Sequence, residues 1–265
     1  MLFRSLLAVD RDPEALAHAR GALRAFGDRI RFLHARFDLA LADVEVKEHG
    51  LDGALLDLGV SSRQLDAEGR GFTYRRGALL DMRMDPATES ASAADVLADS
   101  DEAELTRIFR ELGEEPRGRA LAREVVRRRA NARLTTSDDL VNALAAVTGR
   151  APTHQEKARV FQALRIHVNG ELEALDAALE GIRDRLRPGG VLAVIAYHSL
   201  EDRRVKHAFR EWSRSCVCPP EFPICRCRGR AFGETLTRKA VVASEDEVAR
   251  NPRARSARLR AWRAA

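Results

Sequence analysis

Residues 51–62, Leu-Asp-Gly-Ala-Leu-Leu-Asp-Leu-Gly-Val-Ser-Ser, decide the fold of this chain. The apolar run predicts a buried strand that ends in Asp57, and Gly59 then allows a sharp turn or the close approach of a ligand. In α/β sheets, ligands bind beyond the carboxyl ends of the strands. Asp57 is therefore the first candidate for a functional residue.

A similar pattern precedes this stretch. Residues 6–9 form a short apolar run that ends in Asp10, and Asp12 followed by Pro13 is typical of a helix start, with the helix running to about residue 25. Residues 29–34 alternate in polarity, which predicts a second strand. A carboxylate at the end of a strand can accept both ribose hydroxyls of an adenosine cofactor, which makes Asp10 a candidate ligand. NAD-dependent enzymes and methyltransferases share this signal, and helix capping alone explains Asp12.

The pattern changes to helices alone between residues 85 and 167. Thr135 with Asp138 resembles a capping box, and Gly149 fits a helix stop. One helix is predicted to bury a single apolar face, formed by Leu105, Ile108, Phe109 and Leu112. Strand and helix alternation then returns. The sequence therefore predicts an α/β core in two parts, residues 1–84 and 168–265, with a helical insert over residues 85–167 and a turn-rich basic tail.

The net charge of +5 is unevenly distributed. Residues 203–265 carry 16 Lys or Arg and 6 Asp or Glu, and a second basic block lies within residues 117–133. Basic clusters suit a polyanion such as nucleic acid, and solvated helix faces explain them equally well. The sequence has no apolar run of roughly 18 residues and no signal-peptide pattern, so we expect a cytoplasmic protein without a membrane span.

Two further segments each have two interpretations. Residues 68–85 combine glycines, arginines, Phe72 and Tyr74, which suits the stacking of an unpaired base; alternatively, Phe72 folds back onto the core. Two Cys-x-Cys pairs separated by six residues could bind zinc through four thiolates, or could be reduced thiols in a proline-rich loop; they are Cys216, Cys218, Cys225 and Cys227. The usual zinc knuckle is Cys-x-x-Cys, so the sequence assigns no metal ligand.

Five sequence words occur in one order along the chain. They are Leu-Leu-Asp-Leu-Gly-Val-Ser-Ser at 55–62, Gly71-Phe with Leu-Asp-Met-Arg-Met-Asp at 80–85, Phe-Gln-Ala-Leu-Arg-Ile at 161–166, His-Ser-Leu-Glu-Asp at 198–202 and Asn-Pro-Arg-Ala-Arg-Ser at 251–256. Together they resemble the bacterial RsmH/MraW family of rRNA cytosine-N4 methyltransferases, over about residues 7–260.

This resemblance implies a class I (Rossmann-like) methyltransferase sheet in which the helical insert recognises the substrate. It implies S-adenosyl-L-methionine as methyl donor and the N4 amino group of a cytosine in the decoding region of 16S rRNA as acceptor. The implied partner is 16S rRNA or the small ribosomal subunit, and no DNA is expected. The donor-binding positions carry over to Asp10 at the ribose, Phe37 against the adenine, Asp57 and Gln64. Asp57 is also the catalytic candidate.

Tyr197 and His198 end the next strand and could line the same pocket as Asp57. His198 could act as a general base, but a hydrogen-bonded structural role is favoured.

This sequence departs from the family at its start. Family members begin with a further segment that contains a first strand and a glycine-rich loop ending in Gly-Gly-His, and no such segment precedes Asp10 here. That strand is central in the usual order, so we expect a gap in the sheet, exposed apolar surface there, and weak or absent donor binding.

One explanation for the different start is a start codon assigned too late. The alternative function is a non-catalytic RNA-binding remnant of the family. The position of Asp10 would also suit a nicotinamide-dependent dehydrogenase, but such an enzyme depends on the glycine-rich loop even more than a methyltransferase does.

Overall fold

The computed structural model describes residues 5–87, 91–216, 218, 224, 226–227 and 229–265, with only the backbone for Glu68. The chain forms two compact units, Met1–Gly59 with Leu172–Ala265, and Val60–Glu171. Residues 60–84 therefore group with the helices that follow them. The functional division into a core and an insert at residues 85 and 167 stays a prediction. No helix in the described residues is both long and apolar enough to cross a membrane.

The first unit begins with alternating strands and helices. They are β1 (Leu6–Asp10), α1 (Pro13–Ala22), β2 (Ile30–His34), α2 (Val44–His49) and β3 (Leu51–Asp57). The predicted start of α1 is confirmed, because the side chain of Asp12 accepts a hydrogen bond from the backbone nitrogen of Glu14 at 2.9 Å and Pro13 follows the cap. The helix ends at Ala22, earlier than predicted, where a 3-10 segment over Arg24–Arg29 replaces it.

The second unit is helical. Its helices are α3 (Ser62–Asp66), α4 (Ala93–Asp99), α5 (Glu102–Arg107), α6 (Gly118–Arg129), α7 (Ser137–Thr148) and α8 (His154–Asn169). A π-type segment, Ile108–Leu112, continues α5, and the predicted apolar face is buried. The predicted capping box is wrong by one residue: Thr136 and Asp139 form it, because Thr136 is the last residue with extended backbone before α7. Gly149 ends α7 with φ +68°, as predicted.

The first unit resumes after residue 171. Its remaining elements are α9 (Glu171–Arg183), β4 (Leu186–Ala196), α10 (Ser199–Trp212), β5 (Gly233–Thr235), β6 (Val241–Val242), α11 (Glu245–Arg250) and β7 (Arg258–Ala264). The tail thus contains a seven-residue strand that its basic composition did not predict. Trp262 of β7 is fully buried against Phe209 and Trp212 of α10. Arg260 is buried as well, because its guanidinium is bonded to the carboxylate of Asp202.

The strands of the first unit form two sheets. In the larger sheet β3 pairs in parallel with β4, β4 pairs antiparallel with β7, and β7 pairs with β5 and β6. In the smaller sheet β1 and β2 are parallel. Among the described strands, β1 pairs only with β2 and β3 pairs only with β4, so these two parallel pairs belong to separate sheets. Leu6 and Leu55, on β1 and β3, are 48% and 65% exposed.

Candidate active site

A carboxylate and a phenol meet where β3 and β4 end. The two strands are parallel, with Asp57 opposite Ile195, so Asp57 and Tyr197 lie at the same edge of the sheet. The Tyr197 hydroxyl donates a hydrogen bond to Oδ1 of Asp57 at 3.0 Å. Oδ2 accepts none from the residues that the structure describes, and the side chain is exposed. One oxygen of Asp57 is thus oriented by Tyr197 while the other can accept a ligand proton.

The pKa of Tyr197 is raised from 10.0 to about 12. Burial is the main cause because it disfavours the phenolate, and the hydrogen bond and negative charge of Asp57 add to it. Tyr197 therefore stays protonated at neutral pH and keeps its hydrogen bond to Asp57. The prediction that Tyr197 lies beside Asp57 is consistent with this geometry.

Glu201 fixes the backbone where β4 leads into α10. Its side chain is almost fully buried, and Oε2 accepts hydrogen bonds from the backbone nitrogens of Tyr197 at 2.9 Å and His198 at 3.3 Å. Nε2 of His198 lies 3.1 Å from Oε1 of Glu201, and both side chains are less than 10% exposed. The burial is consistent with a structural role, but neither ring nitrogen of His198 makes a hydrogen bond to the described residues, so the hydrogen-bonded role stays a prediction. Glu201 was not predicted from the sequence, although its position three residues after the helix N-cap is the capping-box signal.

The two other proposed donor ligands of this unit lie on β1 and after β2. Oδ1 of Asp10 accepts a hydrogen bond from the backbone nitrogen of Asp12 at 2.8 Å. Burial raises the pKa of the Asp10 carboxyl above its usual value. Phe37 is partly buried and packs against the apolar core of this unit. A carboxylate oxygen for a diol and an aromatic ring for a base fit the nucleoside end of S-adenosyl-L-methionine. Their roles stay predictions.

Gln64 belongs to the second unit, where it caps α3. Its Oε1 accepts a hydrogen bond from the backbone nitrogen of Ser61 at 2.7 Å, and its own backbone nitrogen donates to Oγ of Ser61 at 3.3 Å. The glutamine side chain thus stabilises the helix start. Its assignment to the methyl donor stays a prediction.

An open cleft of about 400 Å³ lies where β4 leads into α10. Its lining residues are Tyr197, His198, Ser199, Asp202, Arg203, Lys206, Ser256 and Arg258. Three are cations, and the one carboxylate, Asp202, is already bonded to Arg260. The cleft is therefore positively charged and contains hydroxyl groups, which suits a phosphate. Arg203 and Lys206 were not predicted as phosphate ligands from the sequence; their spacing by three was the available signal.

The aromatic loop of the second unit supports the packing alternative for Phe72. Phe72 is 7% exposed, with the guanidinium of Arg70 5.8 Å from the centre of its ring. Tyr74 is partly buried, and its hydroxyl is hydrogen-bonded to His154. Neither ring is presented as an open stacking surface.

The arginine block at residues 117–133 is mostly engaged within the second unit. Arg127 and Arg128 both bond Glu124, and the pKa of that carboxyl falls to about 2 because of these two hydrogen bonds. Four more arginines contact carboxylates or backbone carbonyls of this unit; they are Arg117, Arg123, Arg129 and Arg133. These contacts support a structural, surface role for the block.

The parallel strands with an antiparallel last strand, and the acids that end β1 and β3, are features of a class I, Rossmann-like methyltransferase. A model of the MraW methylase family matches residues 2–265 of the chain. The chain therefore belongs to this family of methyltransferases.

Curated relatives agree with this family. The chain is 52% identical over 264 residues to "Ribosomal RNA small subunit methyltransferase H" of Gemmatimonas aurantiaca, which covers 97% of the chain and 82% of the relative. Proteins with the same name from Syntrophotalea carbinolica and Desulfosudis oleivorans are 48% and 45% identical, each over 97% of the chain and 83% of the relative.

Proposed function

We propose that this methyltransferase uses S-adenosyl-L-methionine to methylate the N4 amino group of a cytosine in the decoding region of 16S rRNA. One observation carries the proposal: Tyr197 contacts the exposed carboxylate of Asp57 and also lines the cationic cleft. A group that can accept an amino proton therefore lies beside a surface that can hold an RNA backbone. The names of the relatives, which act on small-subunit ribosomal RNA, support the choice of substrate.

Asp57 is the residue that we assign to the reacting nitrogen. The cytosine amino group is a poor nucleophile because its lone pair is delocalised into the ring, and a carboxylate that accepts one amino proton favours tetrahedral nitrogen. S-adenosyl-L-methionine, when bound, supplies an electrophilic methyl group and leaves as the neutral thioether. Tyr197 holds Oδ1 of Asp57 at 3.0 Å, so Oδ2 is the oxygen for the amino group. Positioning of this kind contributes on the order of several kcal/mol to the rate.

The cleft cations are assigned to the RNA backbone. Arg203, Lys206 and Arg258 are exposed and share the cleft with the hydroxyls of Ser199 and Ser256. Phosphate contacts fix the register of an RNA without reading its sequence. The target cytosine must leave its stack to reach Asp57, and a held backbone lowers the cost of that step.

Methyl transfer to small ribosomal subunits tests the proposal directly. The purified protein is incubated with radiolabelled S-adenosyl-L-methionine and unmethylated subunits, and digested nucleosides are analysed for N4-methylcytidine. We expect Asp57→Ala to abolish transfer and to leave RNA affinity unchanged. The control is Asp52→Ala on the same strand, whose exposed carboxylate pairs with Arg187 at 2.8 Å. Unchanged methylation in Asp57→Ala contradicts the assignment. RNA binding by the unaltered protein without any transfer favours the non-catalytic alternative.

The salt dependence of RNA binding tests the cleft. For Arg203→Gln/Lys206→Gln we expect weaker binding and a slope of log affinity against log salt that is smaller by roughly 0.7–0.9 for each lost phosphate contact. The control is Arg204→Gln on the same helix, whose guanidinium bonds Asp176 at 3.1 Å and does not line the cleft. Equal slopes for the two variants contradict the role of the cleft.

A further inference from the structure

The segment between α10 and β5 contains all four cysteines of the chain. Cys225 lies outside the described residues. The sulfur atoms of the other three, Cys216, Cys218 and Cys227, all lie within 4.8 Å of one another, although up to eleven positions separate these residues in the sequence. The fold therefore gathers three potential metal ligands at one point, and none of them lines the cleft.

The sulfur spacing matches a metal site and not a disulfide. Sγ of Cys216 and Sγ of Cys227 are 3.8 Å apart. A disulfide requires about 2.05 Å, so these two cysteines are not bonded to each other. Tetrahedral zinc with Zn–S bonds of about 2.3 Å places its sulfur ligands about 3.8 Å apart.

A backbone donor lies beside the cluster. The backbone nitrogen of Arg226 donates a hydrogen bond to Sγ of Cys218 at 3.3 Å. Hydrogen bonds to the ligands are a regular part of metal sites.

A metal ion would also stabilise the described cysteines of this segment. Its two ends are joined, because the backbone nitrogen of Phe232 donates to the carbonyl of Trp212 at 2.8 Å. Between those ends, Cys216 is exposed and Cys218 and Cys227 are partly exposed, so burial of these side chains contributes little. A bound metal ion links such exposed side chains, and its binding free energy adds to the stability of the folded state.

We infer that Cys216, Cys218 and Cys227 bind one structural zinc ion that closes the segment between α10 and β5. Zinc is the metal of choice because thiolate ligands in tetrahedral geometry select it over magnesium, calcium or manganese. The site is independent of the methyl-transfer proposal, since none of its ligands lines the cleft.

Metal content of the untagged, purified protein is the first test. Elemental analysis after extensive dialysis is expected to find one zinc ion per chain, and Cys216→Ser/Cys227→Ser is expected to lose it. The control is Ser215→Ala, which changes the neighbouring side chain and keeps every thiol. Less than a tenth of a zinc ion per chain in the unaltered protein, or full zinc content in the double variant, overturns the inference.

Cobalt substitution keeps the test valid if the double variant does not fold. The unaltered protein is stripped with a chelator under reducing conditions and titrated with Co²⁺. We expect saturation at one equivalent, with a sulfur-to-cobalt charge-transfer band in the near ultraviolet and the visible bands of tetrahedral cobalt. Absence of the charge-transfer band, in protein whose circular dichroism is unchanged, also overturns the inference.

Discussion

Replacing Arg260 by methionine should destabilise the first unit far more than the same change at Arg263. Nε of Arg260 bonds Oδ1 of Asp202 at 2.7 Å, and Nη2 bonds Oδ2 at 3.1 Å, with side chains only 10% and 15% exposed. Arg260→Met leaves the mostly buried carboxylate without its counter-charge, which costs about 3–5 kcal/mol in such settings. Because some exposure remains, we expect the lower end, about 3 kcal/mol, in the free energy of unfolding.

Arg263 provides a matched control on the same strand. Its ion pair with Glu234 has a distance of 3.1 Å, but the side chains are 48% and 66% exposed, so Arg263→Met should cost less than about 1 kcal/mol. Urea unfolding is followed by tryptophan fluorescence, because both tryptophans, Trp212 and Trp262, lie in the core of this unit. Equal midpoints for Arg260→Met and Arg263→Met would show that the buried ion pair of Arg260 contributes no more stability than the exposed pair of Arg263.

The double variant Asp202→Leu/Arg260→Met separates the two contributions to this loss. It removes the uncompensated carboxylate along with the guanidinium, so it should be more stable than Arg260→Met alone. If it is equally unstable, the loss comes from packing of the arginine side chain and the ion pair contributes little.

Two further predictions concern the phenol of the candidate site and the glycines of the second unit. In a Tyr74→Phe background Tyr197 is the last tyrosine, and at a pH of about 11 roughly a tenth of it should absorb as phenolate, a fraction that Asp57→Asn increases. The folded state holds the phenol proton of Tyr197 more tightly than the unfolded state does, so the stabilisation from this proton is fully present below pH 10.0 and is lost as the pH rises towards about 12. If nine tenths of Tyr197 is ionised at a pH of about 11, the result contradicts the hydrogen bond between Tyr197 and Asp57. Gly71→Ala should unfold the second unit at much lower urea than Gly149→Ala, as measured by circular dichroism. Both glycines have positive φ, but only at Gly71 would a Cβ overlap neighbouring backbone atoms, so equal midpoints contradict this account.

Local patterns predicted most of the regular elements correctly. β1, β2 and β3 were recognisable because their apolar runs are short and end in acids or polar turns, and α1 because Asp12 and Pro13 are specific start signals. β7 was missed because its arginines hide the alternation of a strand. Arg260 can be buried only because Asp202, which is 58 positions away in sequence, neutralises it, and no local pattern contains that information.

Part of the candidate site was likewise predictable from the sequence, and part of it was not. Sequence singled out Asp57 and placed Tyr197 near it, because both follow apolar strands and parallel strands end at the same edge of a sheet. It could not show that Tyr197 bonds Oδ1 and leaves Oδ2 for a ligand, nor that Glu201 fixes the backbone where β4 leads into α10. Those facts depend on side-chain rotamers that are set by packing.

The α/β class, the run of helices after residue 92, the membership in a methyltransferase family and the acids at the strand ends were predictable from the amino-acid sequence. Periodicity, turn residues and long sequence words are local properties, so they can be recognised in the amino-acid sequence alone. Only the tertiary structure shows which cations line the same cleft, which arginines form ion pairs, and which three cysteines lie close together. Each of these depends on distances between residues far apart in the chain, and such distances are fixed only when each unit packs its own core.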